Sequence, residues 1–401
     1  MISKKGLIAD SHHVSYGKLM KNSSSKPTMT KTRFINTIGP TFVVFVFSSI
    51  FLIHHLSSHN WDPFSFVLIG GKFDPKVNNQ SYGYDGQFSY QIAKDPVNGW
   101  RYLDVPAYRY QRILYPILAR SLSLGNQVLL PWMLILINYF SIIFATLLLE
   151  KILKINNLTR WYALSYGFFA GLWLSLRLDL TEPLAFLFVI VAIVAIQKEK
   201  ILLGSLFLIL ASLTREVTII FTISFLLSSL FQQNQTNRSK WFIVALLPFI
   251  IWQALLFGLF GEFAIRSGGA FATSIEILPY RGWWGFALKN LSAFFLMSLF
   301  VFPTAIVPSV VCLWTSIKEL LRRNTTPGTW MLFFNSALIA ILPQSILLDP
   351  LGLIRTLIGL IVAILVFGLE KRSFRVLNFS LLWLFLFIFV INGGFLPDYP
   401  Y

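Results

Sequence analysis

The sequence predicts an all-α, polytopic membrane protein with about eleven transmembrane helices and with interfacial helices in a long first outer loop. Three observations predict it. The 401 residues are 56% hydrophobic and only 12% charged, and a soluble domain that apolar has too little polar surface to cover its core. Apolar runs at 34–53, 129–149 and 241–260 approach the roughly 20 residues that cross about 30 Å of hydrocarbon. The charges, finally, alternate along the chain as a multi-pass topology requires.

In chain order, residues 1–32 are Ser-, Lys- and His-containing, carry a single acid (Asp10) and read as a disordered cytoplasmic tail. The remainder, 33–401, reads as a single transmembrane domain. Its spans fall at about 34–55, 128–149, 160–177, 182–197, 201–214, 217–231, 241–260, 288–316, 329–348, 353–369 and 377–393. A lone apolar run can be a signal peptide, but a series of them cannot. With the tail inside, 20 of the 33 lysines and arginines lie on cytoplasmic segments, against only five of the 17 acids: Asp10, Glu150, Glu199, Glu319 and Glu370. Positive-inside bias therefore accounts for nearly all of the net charge of +16, and no nucleic-acid partner is needed to explain it. The same count places the N-terminus in the cytoplasm and the C-terminus outside. With no organelle signal apparent, the plasma (inner) membrane is the expected location.

The outer segments are unequal. The first, about 56–127, is the longest, and a second large one covers about 261–287. Long loops carry ordering entropy and tend to persist where they bind or react. In the first, Tyr84, Phe88 and Ile92 recur at four-residue spacing, which makes one apolar stripe of a short helix with Asp85 and Ser89 on an adjoining face. Asp95-Pro96 ends that helix, because a residue before proline avoids helical geometry. Asp85 then either caps the helix or serves as a catalytic or ligand-binding carboxylate at the mouth of a cavity. Arg109 and Arg112, three apart and flanked by Tyr108, Tyr110 and Tyr115, either bind phosphate oxygens or form an interfacial Arg/Tyr belt. Pairing of these arginines with Asp85 or Asp104 is a further option.

Charges also fall at membrane depth. The apolar pieces around Arg177, Asp179 and Glu182, and those around Arg215 and Glu216, are each shorter than a full span. These groups are therefore drawn toward the bilayer, where each costs roughly 2.5–3.5 kcal/mol unless paired or facing a wet cavity. They read either as a functional site or as structural ion pairs. Arg355 is a third basic candidate, whose alternative is to snorkel to the headgroups. In the second outer loop Glu262, Arg266, Glu276, Tyr280, Arg281, Trp283 and Trp284 offer stacking and hydrogen-bonding surfaces without separable roles.

Several chemistries find no support. There is no Gly-x-x-x-x-Gly-Lys-Ser/Thr loop, no Gly-x-Ser-x-Gly elbow and no His-Glu-x-x-His zinc site. The one cysteine, Cys312, excludes an intrachain disulfide. His54, His55 and His59, around the outer end of the first span, fit interfacial placement as well as a metal role.

The Tyr84-Asp85-Gly86-Gln87 stretch, the Tyr108–Tyr115 stretch, Arg355 before a late span and the long first outer loop together resemble the GT-C superfamily of membrane glycosyltransferases, and within it a bacterial group that shares the Tyr-Asp-Gly-Gln loop. The resemblance implies sugar transfer from a polyprenyl-phosphate-linked donor to a glycan or lipid acceptor on the non-cytoplasmic face. It casts Asp85 as general base, directly or through a divalent cation. Tyr84, Gln87, Arg109, Arg112, Arg215, Glu216 and Arg355 would bind substrate, with arginines stabilising the departing phosphate, while Asp179 and Glu182 would shape the acceptor or metal site. In that superfamily the key acid often lies close to the first span, whereas Asp85 is about thirty residues beyond it. Asp62, Asp95 and Asp104 therefore stay in consideration. Two readings from other classes stand beside this one: a lipid or solute transporter or flippase, and a non-catalytic membrane assembly protein.

Overall fold

A computed structural model describes residues 38–391 except 75, 77–80, 233–235, 265–267 and 270. The predicted tail 1–32, the C-terminal residues and Arg266 lie outside the described residues. Every regular element among the described residues is a helix. Five helices are long and apolar enough to cross a membrane: Pro40–Ser58, Leu130–Ile155, Asn237–Phe260, Leu291–Leu321 and Pro350–Glu370.

The eleven spans expected from the sequence are therefore only partly seen. Glu182–Gln197, Ile201–Thr214, Glu216–Phe231 and Phe374–Leu386 are apolar but shorter, and the span expected at 329–348 is the 14-residue helix Pro327–Ala340. The span expected at 160–177 is broken outright. It consists of a 3-10 turn at Arg160–Ala163, a single turn at Leu164–Gly167 and the helix Ala170–Arg177. Extended backbone at Phe169 separates the last two, and the Trp173 indole bridges the gap by donating to the Gly167 carbonyl at 2.8 Å. That bond gives a freed backbone acceptor the internal partner that hydrocarbon cannot supply.

Burial sorts the helices into centre and rim. Within Pro350–Glu370, 94% of the apolar window is buried, against 28% in Pro40–Ser58 and in Asn237–Phe260. Pro350–Glu370 is thus the axis of the bundle. Asp349 caps its start, accepting from the backbone N–H of Leu351 and Gly352 at 3.0 Å each. The outer helices turn Phe42, Phe45, Ile50, Ile243, Leu247 and Ile250 outward, as suits a hydrocarbon solvent rather than water.

Close helix contacts rest on small residues. A Cβ on Gly171 would lie 2.8 Å from the carbonyl oxygen of Ile354, so this glycine lets the broken element approach the axial helix backbone. Gly258, by contrast, has nothing near its missing side chain. Gly171→Ala is therefore expected to lower unfolding stability by about 1–3 kcal/mol, while Gly258→Ala leaves it level or slightly raised. Thermal unfolding of the two variants in one detergent checks this pair, and an equal response from both would contradict the packing described.

Candidate functional site

The first outer loop folds back over the helix ends. Gly86–Lys94 forms the expected short helix, with Phe88 and Ile92 buried and Asp95 ending it. Each residue of the Tyr-Asp-Gly-Gln motif has a separate task. The Gln87 side-chain amide donates to the Tyr82 carbonyl at 2.7 Å, and its oxygen accepts from the Gly70 backbone at 3.0 Å; this pins two passes of the loop together. Gly86 meets the carbonyl oxygen of Leu178 so closely that a Cβ would collide with it. The helix start is thereby docked on the 178–181 turn. Tyr84 lies beneath Arg355, whose guanidinium is 5.4 Å from the ring centroid.

Asp85 stands at the N-cap position but makes no capping hydrogen bond. Its carboxylate turns instead to two arginines, Arg109 at 3.1 Å and Arg355 at 3.8 Å. From there a chain of charges continues. Arg355 lies 3.5 Å from Oε1 of Glu182, and Arg215 lies 3.1 Å from that same oxygen. Arg109 is gripped from its other side by Asp104 through two bonds of 2.7 Å. Arg112 donates to both oxygens of Glu216, at 2.9 and 2.7 Å, and to the Tyr108 hydroxyl at 2.6 Å.

Arg109, Arg112 and Arg355 are buried and paired, so neither a headgroup belt nor snorkelling describes them. Cations and carboxylates alternate because an uncompensated charge in such a place costs several kcal/mol. Asp85 is the member most open to solvent, its side chain 31% exposed. Burial opposes its charge, but Arg109, then Arg355 and Arg112, outweigh that effect and hold the carboxyl below the ordinary carboxylate range. Asp85 is ionised at neutral pH.

Beside this chain lies a small open cleft, of about 20 Å³, lined by Asp85, Phe88, Ser89, Arg109, Arg112, Thr181 and Arg215 among others. A non-catalytic assembly protein would be favoured by mutual pairing of Asp85, Arg109 and Asp179 with no cavity beside them. Asp85 and Arg109 are paired, but a cleft adjoins them and Asp179 stands apart.

Asp179 is fully buried on a left-handed backbone (φ 49°), and neither of its oxygens has a hydrogen-bond partner among the described residues. The same holds for Oγ1 of Thr181, Oε2 of Glu182 and Oδ1 of Asn138. Burial pushes the Asp179 carboxyl well up, with Arg177 opposing, so it holds a proton far above the usual range. Asn138, whose amide donates to Tyr115 and to the Leu180 carbonyl at 2.8 and 2.9 Å, went unnoticed in the sequence; an amide in mid-span is the signal that marks it. Asp104, the clamp on Arg109, was expected both as an alternative acid and as one option for pairing with these arginines.

Other candidates do not join the cleft. In the second outer loop Glu276 pairs with Arg281 at 3.7 Å and Trp283 is buried in the core. His54 and His55 lie within the first long helix, and the His55 and His59 rings stack 4.1 Å apart. Among the described residues no group of three or more His, Cys, Asp or Glu side chains is arranged to hold a metal ion. Asp85, Asp104 and Glu216 are engaged by arginines and Glu182 offers one free oxygen. The residues present therefore do not fit a divalent cation, and no step is derived through one.

Comparison with protein-family models, with curated proteins and with solved structures gives no match.

Two predictions follow from the charges. Glu182→Gln leaves Arg215 and Arg355 without their shared carboxylate and is expected to destabilise the protein by about 3–5 kcal/mol; chemical denaturation in detergent measures it, and a loss below ~1 kcal/mol would mean the pairs are solvated. Asp179 binds its proton more tightly folded than unfolded. It therefore favours the fold fully below the ordinary carboxylate pKa of about 3.9, and that contribution is lost as pH rises from there toward its elevated folded value. Asp179→Asn should flatten this decline in melting temperature between acid and alkaline buffers. An unchanged slope would place the titrating group elsewhere.

Proposed function

We propose that this chain is a membrane glycosyltransferase of the GT-C type, using a polyprenyl-phosphate-linked sugar as donor and a glycan or lipid as acceptor. It sits in the plasma (inner) membrane with its basic helix ends and N-terminus in the cytoplasm, its C-terminus outside and the arginine cleft on the outer face. The observation that carries the reading is a partly exposed, ionised Asp85 held by Arg109 and Arg355 at the mouth of a cleft that Arg112 and Arg215 also line.

The chemistry needs both charge signs within a few ångströms. As the bond from the sugar's anomeric carbon to the lipid phosphate breaks, negative charge grows on the leaving oxygen, and fixed guanidinium groups stabilise it without reorganising. The acceptor hydroxyl forms the new bond to that carbon and gives its proton to Asp85. A strongly depressed carboxyl is by itself a weak base. Once the donor phosphate engages Arg109 and Arg355, however, their pull on Asp85 weakens and its basicity rises. The base is thus strengthened by the arrival of the donor. Tyr84 orders Arg355, while Glu182 and Glu216 hold Arg215 and Arg112 in orientation.

The test is mass spectrometry of envelope glycans and glycolipids from cells lacking the protein, complemented with wild type or with Asp85→Asn at equal abundance. A defined sugar is expected to vanish in the deletion and return only with wild type; transfer measured in purified membranes should fall about 10²–10⁴-fold in Asp85→Asn. Full rescue by Asp85→Asn would remove Asp85 from the chemistry. If no glycan changes in the deletion, the transporter or assembly reading takes its place.

A further inference from the structure

A larger opening lies at the other ends of the helices that build the arginine cleft. Glu182–Gln197 and Pro350–Glu370 contribute Glu182 and Arg355 to the chain of charges beside the cleft, and Gln197, Val366 and Glu370 to this second cavity. The 15 residues from Arg355 to Glu370 separate the two by about 22 Å along the axial helix. The cavity holds about 190 Å³, room for part of a ligand whose remainder lies outside.

Its lining is divided. The walls are hydrocarbon and aromatic, from Ile193, Ile196, Phe225, Phe242 and Val366, while the mouth is polar, with Gln197, Glu199, Gln232, Arg238 and Glu370. Beyond Ile193, Gln197 and Val366 the packing closes against Leu149, Ile190 and Leu365, leaving a gap of only about 10 Å³. The cavity itself is thus an amphipathic recess with an apolar inner end and a polar rim.

The rim carries charge of both signs. Arg238 donates to Glu199, and both remain accessible, with side chains 33% and 67% exposed. Glu370 is turned to the backbone N–H of Gly328, at 3.1 and 3.0 Å, and Gln232 donates to Ser228 and to the Thr325 carbonyl at 3.1 and 3.2 Å. The recess therefore offers a ligand one guanidinium beside one solvent-facing carboxylate. A headgroup bearing only negative charge would meet Glu199 and Glu370 with a single cation to oppose them, whereas a zwitterion satisfies both members of the pair.

We infer that this recess is a binding site for a membrane phospholipid with a zwitterionic, amine-bearing headgroup. Part of one acyl chain fills the slot between Ile193, Phe225 and Val366, the phosphate meets Arg238, and the ammonium meets Glu199. The site is independent of sugar transfer and stands or falls separately from it.

The full-length protein in nanodiscs of mixed phosphatidylethanolamine and phosphatidylglycerol tests the inference, with a photoactivatable group on the acyl chain of one lipid or the other. The phosphatidylethanolamine probe is expected to label 190–197 and 365–370 several-fold above the phosphatidylglycerol probe. Val366→Trp, which fills the slot, should abolish that labelling, and Glu199→Lys should reverse the headgroup preference. Labelling of wild type spread evenly over the outward faces of the Pro40–Ser58 and Asn237–Phe260 helices overturns the site, and equal labelling by both probes overturns the zwitterion. Both readings come from wild type alone, so a variant that misfolds does not blunt the test.

Discussion

Charge compensation in a place with little water is the constraint on which this structure turns. Four arginines drawn to one end of a hydrocarbon-clad bundle need carboxylates at contact distance. Those carboxylates come from four different stretches of chain: Asp85 and Asp104 in the first outer loop, Glu182 at one helix start and Glu216 at another. No single element can satisfy itself. The loop is consequently fastened to the helices by the same contacts that shape the cleft, so that the site and the fold share one set of interactions.

The axial helix Pro350–Glu370 joins the two ends of the molecule. Its near-complete burial leaves it no lipid-facing side, so its sequence answers to its neighbours alone. Glycines stand where those neighbours press in: Gly359 against Asn335, and Gly368 against Leu377. Arg355 near one end stands in the chain of charges beside the cleft, and Glu370 at the other lines the apolar cavity with its mixed rim. A rigid rod between them fixes their separation.

Much of this was legible in the sequence, for identifiable reasons. The helical character and the apolar runs follow from composition, and the short Gly86–Lys94 helix from the spacing of Phe88 and Ile92 with Asp95-Pro96 as its stop. Glu182, Arg215 and Glu216 were expected at membrane depth, paired among themselves or lining a site, and a bond from Arg109 or Arg112 to Asp85 or Asp104 was one option. The pairs that bridge these two groups were not readable. Arg112 pairs with Glu216 across 104 residues of sequence, and no local pattern encodes that distance. Gln87, read as a substrate-binding residue, also staples the loop backbone, and an amide next to a motif acid looks alike in either role. The break between Gly167 and Ala170 was hidden because its sealing bond comes from Trp173, a residue that composition counts as merely apolar.

The chain of charges also has a history in the making of the protein. Arg109 finds Asp104 only five residues away and Asp85 within the same loop, so these groups can neutralise one another as soon as the loop has emerged. Arg355 follows Asp85 by 270 residues, and until it arrives Glu182 has only Arg215. Biogenesis therefore passes through a stage in which Asp85 is held by Arg109 alone and Glu182 by Arg215 alone, and insertion of the axial helix gives each its second partner.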